Sequence, residues 1–480
     1  MRSAPHSLGR FLPALTTVVV LGCGAPSGVP LPGALRVQTA GPKAAGSAVR
    51  WLLNARILDP EARTERLGHL QLQGGHIASV HRERPANPGP NTVDLHGAWL
   101  LPAFVDLHVH SWGNPSPLPG PDHRCGHAET ARLMLAAGVV AYLDLGSKPR
   151  TIFALRDQVR AGLVPGATLY AAGPVLGHIV GMKPGPGGPD ARLRQTRTPA
   201  EGRAHVRALV ASRPDIVKVL MDHTGPEQDL SLASLNAIVD EAHRHGLRVI
   251  CHIGTWQDAR ACVMAGADAL THLWDEDDVP AELVQILAKR RIPLIPTQPV
   301  QVDLPHFSGP NAPGWRDPLL RQLTTRHLQE TYRQTARFVQ KAKFWLRYQG
   351  AHAKGYERQL LTLHKGGVVL LAGSDTGNFG TFQGYSLHRE LALMVRAGLP
   401  VWAALKAGTT AAGRFLGRKL GVKVGDEASF VVLAASPLVA ISHTQRIRSV
   451  IVRGRLVDRA ALLAGTSVAD TFRASRCRRR

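Results

Sequence analysis

The chain has 480 residues, of which 44% are hydrophobic and 19% charged, which suits a large domain with a smaller one and excludes a disordered chain. Its formal net charge is +23, but aromatic residues make up only 5% of the chain, and the Arg and Lys residues are scattered rather than gathered on one helix face. We therefore expect no nucleic-acid partner and interpret the positive charge as an Arg-rich surface.

The first 23 residues have the pattern of a signal peptide. Arg2 and Arg10 accompany an apolar run over residues 11–21 that is too short to span a bilayer. The run leads into VVLGC, which resembles a bacterial lipoprotein signal with Cys23 as the lipidated residue; an ordinary cleaved signal peptide is the alternative. We expect an exported protein, either periplasmic or held at the membrane through a lipid on Cys23, with a Pro-, Gly- and Ala-rich linker over residues 24–47.

Short β segments lie on both sides of a long middle region. Aliphatic runs such as WLLNARIL are separated by Gly, Pro and Asn before residue 101, and the same pattern returns after residue 421 with KVGDEASFVVL and RSVIVRGRLV. We predict that residues 48–101 and 421–460 pair into a small β-sandwich domain. Residues 461–480 are predicted to form a basic tail.

The middle region, residues 102–420, alternates helices and strands. Ala-rich helical runs end at Gly and are followed by apolar strands, and Thr255 with Asp258 predicts a capping box at the start of one helix. Eight candidate strands with helices between them predict a (β/α)8 TIM barrel, an α/β fold whose chemistry lies at the C-terminal strand ends. The strands are predicted to end near His110, Asp144, Pro174, Met221, His252, His272, Pro296 and Asp375. The helical stretch 301–356 is long for a connection and predicts an insertion or lid near the site.

Six polar residues end or interrupt five of these apolar strands. They are His108, His110, Lys218, His252, His272 and Asp375. Each alone would more often be a satisfied core residue, an edge lysine or a turn aspartate. Together they occupy the same ends of the predicted strands, and a shared metal site would compensate their burial. Imidazole and carboxylate ligands suit Zn²⁺, whereas Asp106 lies deeper on the same strand face and is expected to support the ligands.

This order of residues resembles the metal-dependent amidohydrolase superfamily. The stretches LLPAFVDLHVH and LAGSDTG are similar to its first-strand and eighth-strand signatures. The resemblance extends over about residues 49–457 and is nearest to the imidazolonepropionase-like and Xaa-Pro dipeptidase (prolidase)-like branch. Ala103 stands where the superfamily usually has Gly, and the sequence from Glu427 to Ser429 departs from its usual Ala-Asp pair.

The resemblance implies a binuclear centre of two divalent ions, with Zn²⁺ the favoured metal. The implied ligands are His108, His110 and Asp375 for one ion, His252 and His272 for the other, and an N-carboxylated Lys218 bridging both. A metal-activated hydroxide would then cleave a C–N bond, amide or peptide-like, in a small substrate, with Asp375 as general base and then general acid. His178 and His223, on loops after the third and fourth strands, are candidate substrate-binding residues.

Two other functions stay open at this point. A mononuclear deaminase or cyclic amidine hydrolase of the same superfamily would not need Lys218. A non-catalytic, lipid-anchored binding protein would keep the fold without the activity. The sequence also leaves a homo-oligomer open.

Overall fold

A computed structural model describes residues 47–114, 126–180, 191–224, 230–273, 278–334 and 339–464. The predicted signal peptide with Cys23, the linker apart from its last residue, and the basic tail after residue 464 lie outside the described residues. Within the described ranges, no helix is both long and apolar enough to cross a membrane.

The described residues form strands and helices that alternate through the middle of the chain. The strands are β1 (Trp51–Asp59), β2 (Thr64–Gln73), β3 (His76–His81), β4 (Thr92–Asp94), β5 (Trp99–Pro102), β6 (Phe104–Val109), β7 (Val139–Asp144), β8 (Thr168–Ala171), β9 (Val175–Gly177), β10 (Leu193–Gln195), β11 (Val217–Met221), β12 (Val249–Ile253), β13 (Ala269–Thr271), β14 (Leu294–Ile295), β15 (Phe430–Leu433), β16 (Ile447–Val452) and β17 (Arg455–Leu456). The helices are α1 (His127–Ala136), α2 (Pro149–Arg160), α3 (Pro199–Val210), α4 (Leu232–Arg244), α5 (Trp256–Ala265), α6 (Ala281–Arg290), α7 (Gln298–Val302), α8 (Leu304–Phe307), α9 (Pro318–Leu323), α10 (Arg326–Arg333), α11 (Val339–Lys365), α12 (Tyr385–Arg396), α13 (Val401–Gly408), α14 (Thr410–Phe415) and α15 (Arg459–Leu463).

The two flanks of the chain pair into one eight-stranded sheet. Its order is β17-β16-β15-β5-β1-β2-β3, with β4 beside β1. The pairing of β15 with β5 is antiparallel and sets Phe430 opposite Pro102, which joins the C-terminal flank to the N-terminal flank. Leu52, Ile57 and Phe430 are fully buried in a core of this sheet's own. The flanks therefore associate as the sequence predicts, in a single sheet; the second layer of a sandwich is not confirmed.

The middle region is a mixed α/β structure, as predicted, with parallel strands in two sheets. One sheet has the order β6-β7-β8 and the other β10-β9-β11-β12-β13-β14. Near-continuous apolar burial of β6 and β7 agrees with strands covered on both faces. Among the described residues these strands do not form one closed barrel sheet. The predicted third strand is divided into β8 and β9.

The predicted eighth strand is not a regular strand. Residues 370–376 make isolated bridges instead, from Leu370 to Leu294 and from Thr376 to Val109. Asp375 has a φ of 52°, a left-handed conformation that interrupts a β ladder. Its backbone N–H still donates to the His108 carbonyl over 2.7 Å. The segment is therefore fixed against β6 even though its ladder is broken.

Helix ends follow the sequence signals. Thr255 Oγ1 accepts a hydrogen bond of 3.0 Å from the Asp258 backbone N–H at the start of α5, which confirms the predicted cap. Gly266 ends the same helix with a φ of 96°, which a residue with a side chain rarely adopts. The predicted insertion over residues 301–356 is largely helical and includes α8, α9, α10 and most of α11.

A buried ion pair ties the flank sheet to the middle region. The Arg418 guanidinium donates to the Glu427 carboxylate through Nη2 and, over 3.2 Å, through Nε, while its Nη1 donates to the Val140 carbonyl of β7 over 3.1 Å. Burial would raise the pKa of Glu427, but the Arg418 charge outweighs it and holds that pKa below its usual value. Glu427, which departs from the superfamily's usual sequence, is thus the partner of a buried arginine.

Replacing Glu427 by alanine is expected to lower the free energy of unfolding by about 3–5 kcal/mol, because it leaves the buried Arg418 charge unpaired. Urea denaturation followed by circular dichroism measures this. Since the pKa of Glu427 is lowered in the folded state, its contribution is present at neutral pH and is lost as the pH falls below about 4. The matched control is Glu282→Ala, which removes an exposed pair with Arg260 and should cost less than about 1 kcal/mol. Equal losses for the two variants would contradict the assigned role.

Candidate metal centre

The C-terminal ends of the parallel strands bring the predicted ligands together. His108 lies in β6, His110 directly follows it, and Asp375 lies in the segment bridged to β6. Asp375 Oδ1 is 3.0 Å from His110 Nε2 and 3.4 Å from His108 Nε2. His108, His272 and Asp375 each place one potential ligand atom in a group of three that lie within 4.8 Å of one another. These residues form a compact, buried donor set.

The other predicted ligands extend this cluster. The centroid of the His252 ring, on β12, lies 4.2 Å from that of His272, which in turn lies 4.9 Å from that of His108. Lys218 is buried in the neighbouring strand β11, and its Nζ donates to Thr271 Oγ1 over 2.8 Å. Thr271 directly precedes His272, so the lysine lies beside the histidine cluster.

The donor set fits a divalent cation. Among the described residues, the buried Oδ1 of Asp375 has no hydrogen-bond partner, although it faces the Nε2 atoms of His108 and His110. Burial, together with the neighbouring Lys218, lowers the pKa of His108 well below its usual value, and burial does the same for His272. Both imidazoles are therefore neutral at pH 7, which is the form that ligates metals. Neutral histidines around an unsatisfied carboxylate oxygen are a donor set that Zn²⁺ accepts.

A hydrogen bond orients His272 toward the centre. Its Nδ1 lies 2.7 Å from Thr297 Oγ1, and the Thr297 hydroxyl donates to the Pro296 carbonyl. The hydroxyl therefore accepts from His272 Nδ1–H, which leaves the Nε2 lone pair available as a ligand. His272 and Thr297 have φ values of 82° and 54°, left-handed conformations of the kind that cluster at functional sites.

The environment of Lys218 favours an uncharged amine. Burial lowers the pKa of Lys218 to about 7, against an opposing influence of the Asp375 charge. A substantial fraction of the side chain is then a neutral amine at physiological pH. The Thr271 hydroxyl donates to the Cys251 carbonyl over 3.3 Å and accepts from Lys218, which fixes the position of Nζ.

Asp106 supports the first strand. It accepts hydrogen bonds from Ser374 Oγ over 2.5 Å, from the Ser374 N–H over 3.0 Å and from the His108 N–H over 3.2 Å. Burial raises the pKa of Asp106 to about 7, although its hydrogen bonds with Ser374 oppose the rise. Its contacts join β6 to the segment that carries Asp375, in line with the expected supporting role.

Asp222 is a site residue that the sequence reasoning missed. Its Oδ2 lies 3.5 Å from His252 Nε2. Burial opposes its ionisation, but hydrogen bonds with His252 and Thr224 outweigh burial and lower the pKa of Asp222 to about 2. Gly254 makes room for the carboxylate, since a Cβ there would lie 2.1 Å from Asp222 Oδ1. Asp222 directly follows β11, so its place at a strand end was a signal of the same kind as those that found the histidines.

The two predicted substrate-binding histidines lie on loops after their strands. His223 Nδ1 is 2.5 Å from Asp258 Oδ1, and 39% of its side chain is exposed. His178 directly follows β9 and is half-buried. Their roles toward a substrate stay predictions.

Comparisons with known proteins agree with this fold. The model of the amidohydrolase family matches residues 323–457. An uncharacterised protein of Mycobacterium tuberculosis is 25% identical over 370 residues, which cover 76% of this chain and 87% of that protein. A prolidase crystallised with N-methylphosphonate-L-proline superposes with a TM-score of 0.66 at 22% identity, over 85% of this chain and 98% of the prolidase. Molinate hydrolase superposes with a TM-score of 0.69 at 18% identity, over 89% and 99% of the two chains.

The fold and site together define an α/β protein in which buried histidines and a carboxylate meet at the C-terminal ends of parallel strands. The match of residues 323–457 to the amidohydrolase family model supports the resemblance drawn from the sequence. The same match agrees with the predicted enzyme class, an amidohydrolase that acts on carbon–nitrogen bonds.

Proposed function

We propose that this protein hydrolyses an amide or peptide-like bond of a small substrate at a centre of two divalent ions, with Zn²⁺ the best suited. The observation that carries the proposal is Asp375 Oδ1, which is buried without a hydrogen-bond partner among the described residues and faces His108 and His110. A buried, unsatisfied carboxylate oxygen is costly unless a cation or a reacting proton meets it.

Six residues of the cluster are proposed to hold the ions. They are His108, His110, Lys218 as its carbamate, His252, His272 and Asp375. Bound there, the ions would supply Lewis-acid polarisation of the substrate carbonyl and a water of lowered pKa. Carbamate formation joins the neutral Nζ of Lys218 to the carbon of CO₂ and releases a proton, which converts a neutral donor into an anionic oxygen ligand.

Asp375 is proposed to move the proton. Its carboxylate would accept a proton from the attacking water and deliver it to the leaving nitrogen, as general base and then general acid. Two backbone hydrogen bonds hold the residue in place: its N–H donates to the His108 carbonyl over 2.7 Å, and Asn378 Nδ2 donates to its carbonyl over 3.1 Å. The backbone that carries the carboxylate is thus fixed before a substrate arrives.

The prolidase-like branch of the superfamily is part of this proposal. The structural similarity to a prolidase lies below 25% identity and shows the fold, so an Xaa-Pro dipeptide is proposed as one substrate class beside N-acyl amino acids and cyclic amides. We also propose that the two parallel sheets and residues 370–376 complete a (β/α)8 barrel, because hydrogen bonds link that segment to both β6 and β14. The flank sheet would form the core of the predicted sandwich domain.

One observation favours a second candidate. The most compact donor set, His108, His272 and Asp375, is large enough for a single ion. A mononuclear deaminase or cyclic amidine hydrolase would need no more than such a set. Lys218, buried beside His272, supports the binuclear hydrolase over this candidate.

The cellular setting is proposed from the sequence alone. We propose export by the N-terminal signal, with the protein either periplasmic or anchored at the membrane through a lipid on Cys23. Its partner would be a small-molecule substrate rather than a nucleic acid, and a homo-oligomer remains compatible with it.

The proposed activity is tested with the zinc-loaded protein on a panel of Xaa-Pro dipeptides, N-acyl amino acids, lactams and cyclic amidines. We expect hydrolysis of at least one amide or peptide-like class, abolished by a chelator and restored by Zn²⁺. Release of ammonia from amidines alone would favour the mononuclear candidate. No turnover of any class by protein with its metals bound would refute the proposed function.

A further inference from the structure

Arg192 and Trp112 form a stack beside the candidate metal centre, called here the Arg192–Trp112 stack. The Trp112 ring stacks on the imidazole of His110 with centroids 4.4 Å apart and planes inclined by 15°. The guanidinium carbon of Arg192 lies 3.6 Å from the centroid of the Trp112 ring. The same indole contacts both groups. The positive charge of Arg192 is therefore close enough to His110, a proposed metal ligand, for one small molecule to reach both.

Both members of the stack are held by the strands that surround the centre. Trp112 Nε1 donates to the Gly377 carbonyl over 2.6 Å, which links the loop after β6 to the loop after Asp375. The Arg192 carbonyl accepts from the Val175 N–H over 2.7 Å, at the start of the pairing of β10 with β9. The guanidinium is therefore presented from a fixed backbone position.

The charge of Arg192 has no ion-pair partner among the described residues, and its buried Nε has no hydrogen-bond partner there. The charge of the nearby Asp144 favours the cation without forming an ion pair with it; that carboxylate accepts from the Ser111 N–H over 2.8 Å and from Ser147 Oγ over 2.8 Å. Burial lowers the pKa of Arg192 to about 10, so the guanidinium remains positively charged at neutral pH. A half-buried cation beside a catalytic centre is thus available to a ligand.

We propose that the Arg192–Trp112 stack binds a carboxylate of the substrate and makes the enzyme selective for anionic small molecules. A guanidinium lying on an aromatic face keeps its edge N–H groups free, and two of them can donate in parallel to one carboxylate. The indole also stabilises the cation through its π face and limits its rotamers before binding. The inference rests on the proposed function and narrows its substrate class.

Within the proposed substrate classes, the stack separates charged from neutral compounds. N-acyl amino acids and Xaa-Pro dipeptides carry a carboxylate on the leaving fragment, close to the bond that is cleaved. Their amides and methyl esters are almost isosteric and lack the charge. The stack should therefore distinguish the members of each pair.

The test compares the wild-type enzyme with Arg192→Gln on N-acetyl-L-proline and N-acetyl-L-prolinamide, and on the same pair built on L-methionine. We expect Arg192→Gln to raise KM for the carboxylates by about 10- to 100-fold, the range for loss of a hydrogen bond to a charged group, and to leave KM for the amides within about twofold. Arg192→Lys should recover part of the loss. The matched control is Arg197→Gln, an exposed arginine on the loop before α3, which should behave as the wild type.

Binding is measured alongside turnover, so that failure of the proposed function and failure of this inference can be distinguished. Isothermal titration of the metal-loaded protein with the same four compounds reports recognition even when none is hydrolysed. A preference for carboxylates that disappears in Arg192→Gln supports the inference whatever the turnover. It is overturned if the wild type binds the carboxylates no better than the amides, if it binds none of the four, or if Arg192→Gln keeps the preference.

Discussion

Asp375→Asn is expected to lower kcat by about 10²- to 10⁴-fold, the usual contribution of a positioned general acid–base group. Asparagine has nearly the same shape and still offers an amide oxygen to a metal, but it cannot carry the proton. The backbone of Asp375 is held by His108 and Asn378, so the exchange should leave the fold unchanged. The measurement is steady-state kinetics on the best substrate of the panel, with the metal content of both proteins determined in parallel.

The control for this variant is Asp157→Asn, which makes the same chemical change at a half-exposed carboxylate paired with Arg156. It should retain wild-type activity. Full activity of Asp375→Asn with its metals bound would show that another group moves the proton. A loss of activity that accompanies loss of the metals would assign Asp375 to ligation alone.

Lys218→Met is expected to reduce activity on the order of 10³-fold, because it removes the proposed anionic bridge and the several kcal/mol of charge stabilisation that depend on it. Methionine fills a similar buried volume, so the loss should not come from a cavity. Activity of the variant should return in part when a short carboxylic acid supplies the missing oxygen ligand. Apo wild-type protein should regain activity with Zn²⁺ faster when bicarbonate is present.

The matched control is Lys419→Met, at an exposed lysine paired with Asp426. Neither its activity nor its response to short carboxylic acids should differ from those of the wild type. If Lys218→Met retained full activity, Lys218 would be a buried structural lysine, and the mononuclear candidate would gain support.

The clustering of the proposed ligands could be predicted because it follows from one-dimensional patterns. His108 and His110 alternate with aliphatic residues, so one strand face carries both. Lys218, His252 and His272 each interrupt or end an apolar strand, and parallel strands end on the same side. Strand periodicity and strand order were therefore sufficient to predict that these histidines lie close together.

The surroundings of the ligands could not be predicted in the same way. The hydrogen bonds from Lys218 to Thr271 and from His272 to Thr297 depend on the register between neighbouring strands, which strand periodicity alone leaves open. Arg192 lies beside the site because the short strand β10 pairs with β9.

Two features of the fold also could not be predicted from the sequence. The segment before Asp375 reads as a regular apolar strand, but the left-handed conformation of Asp375 limits it to isolated bridges. Alternating β segments in the flanks are compatible with one sheet or two. The pairing of β15 with β5 produces one sheet. It joins strands that are far apart in the sequence, so it depends on side-chain packing and not on local sequence patterns.

The most direct test of the proposed centre is the metal content of the purified protein, measured by plasma mass spectrometry on wild type and Lys218→Met side by side. We expect two divalent ions for each wild-type chain, with activity rising in proportion to occupancy, and fewer ions in the variant. A wild-type protein that hydrolyses its substrate while holding well under one divalent ion per chain would contradict the assignment of His108, His110, His252, His272 and Asp375 as a metal centre.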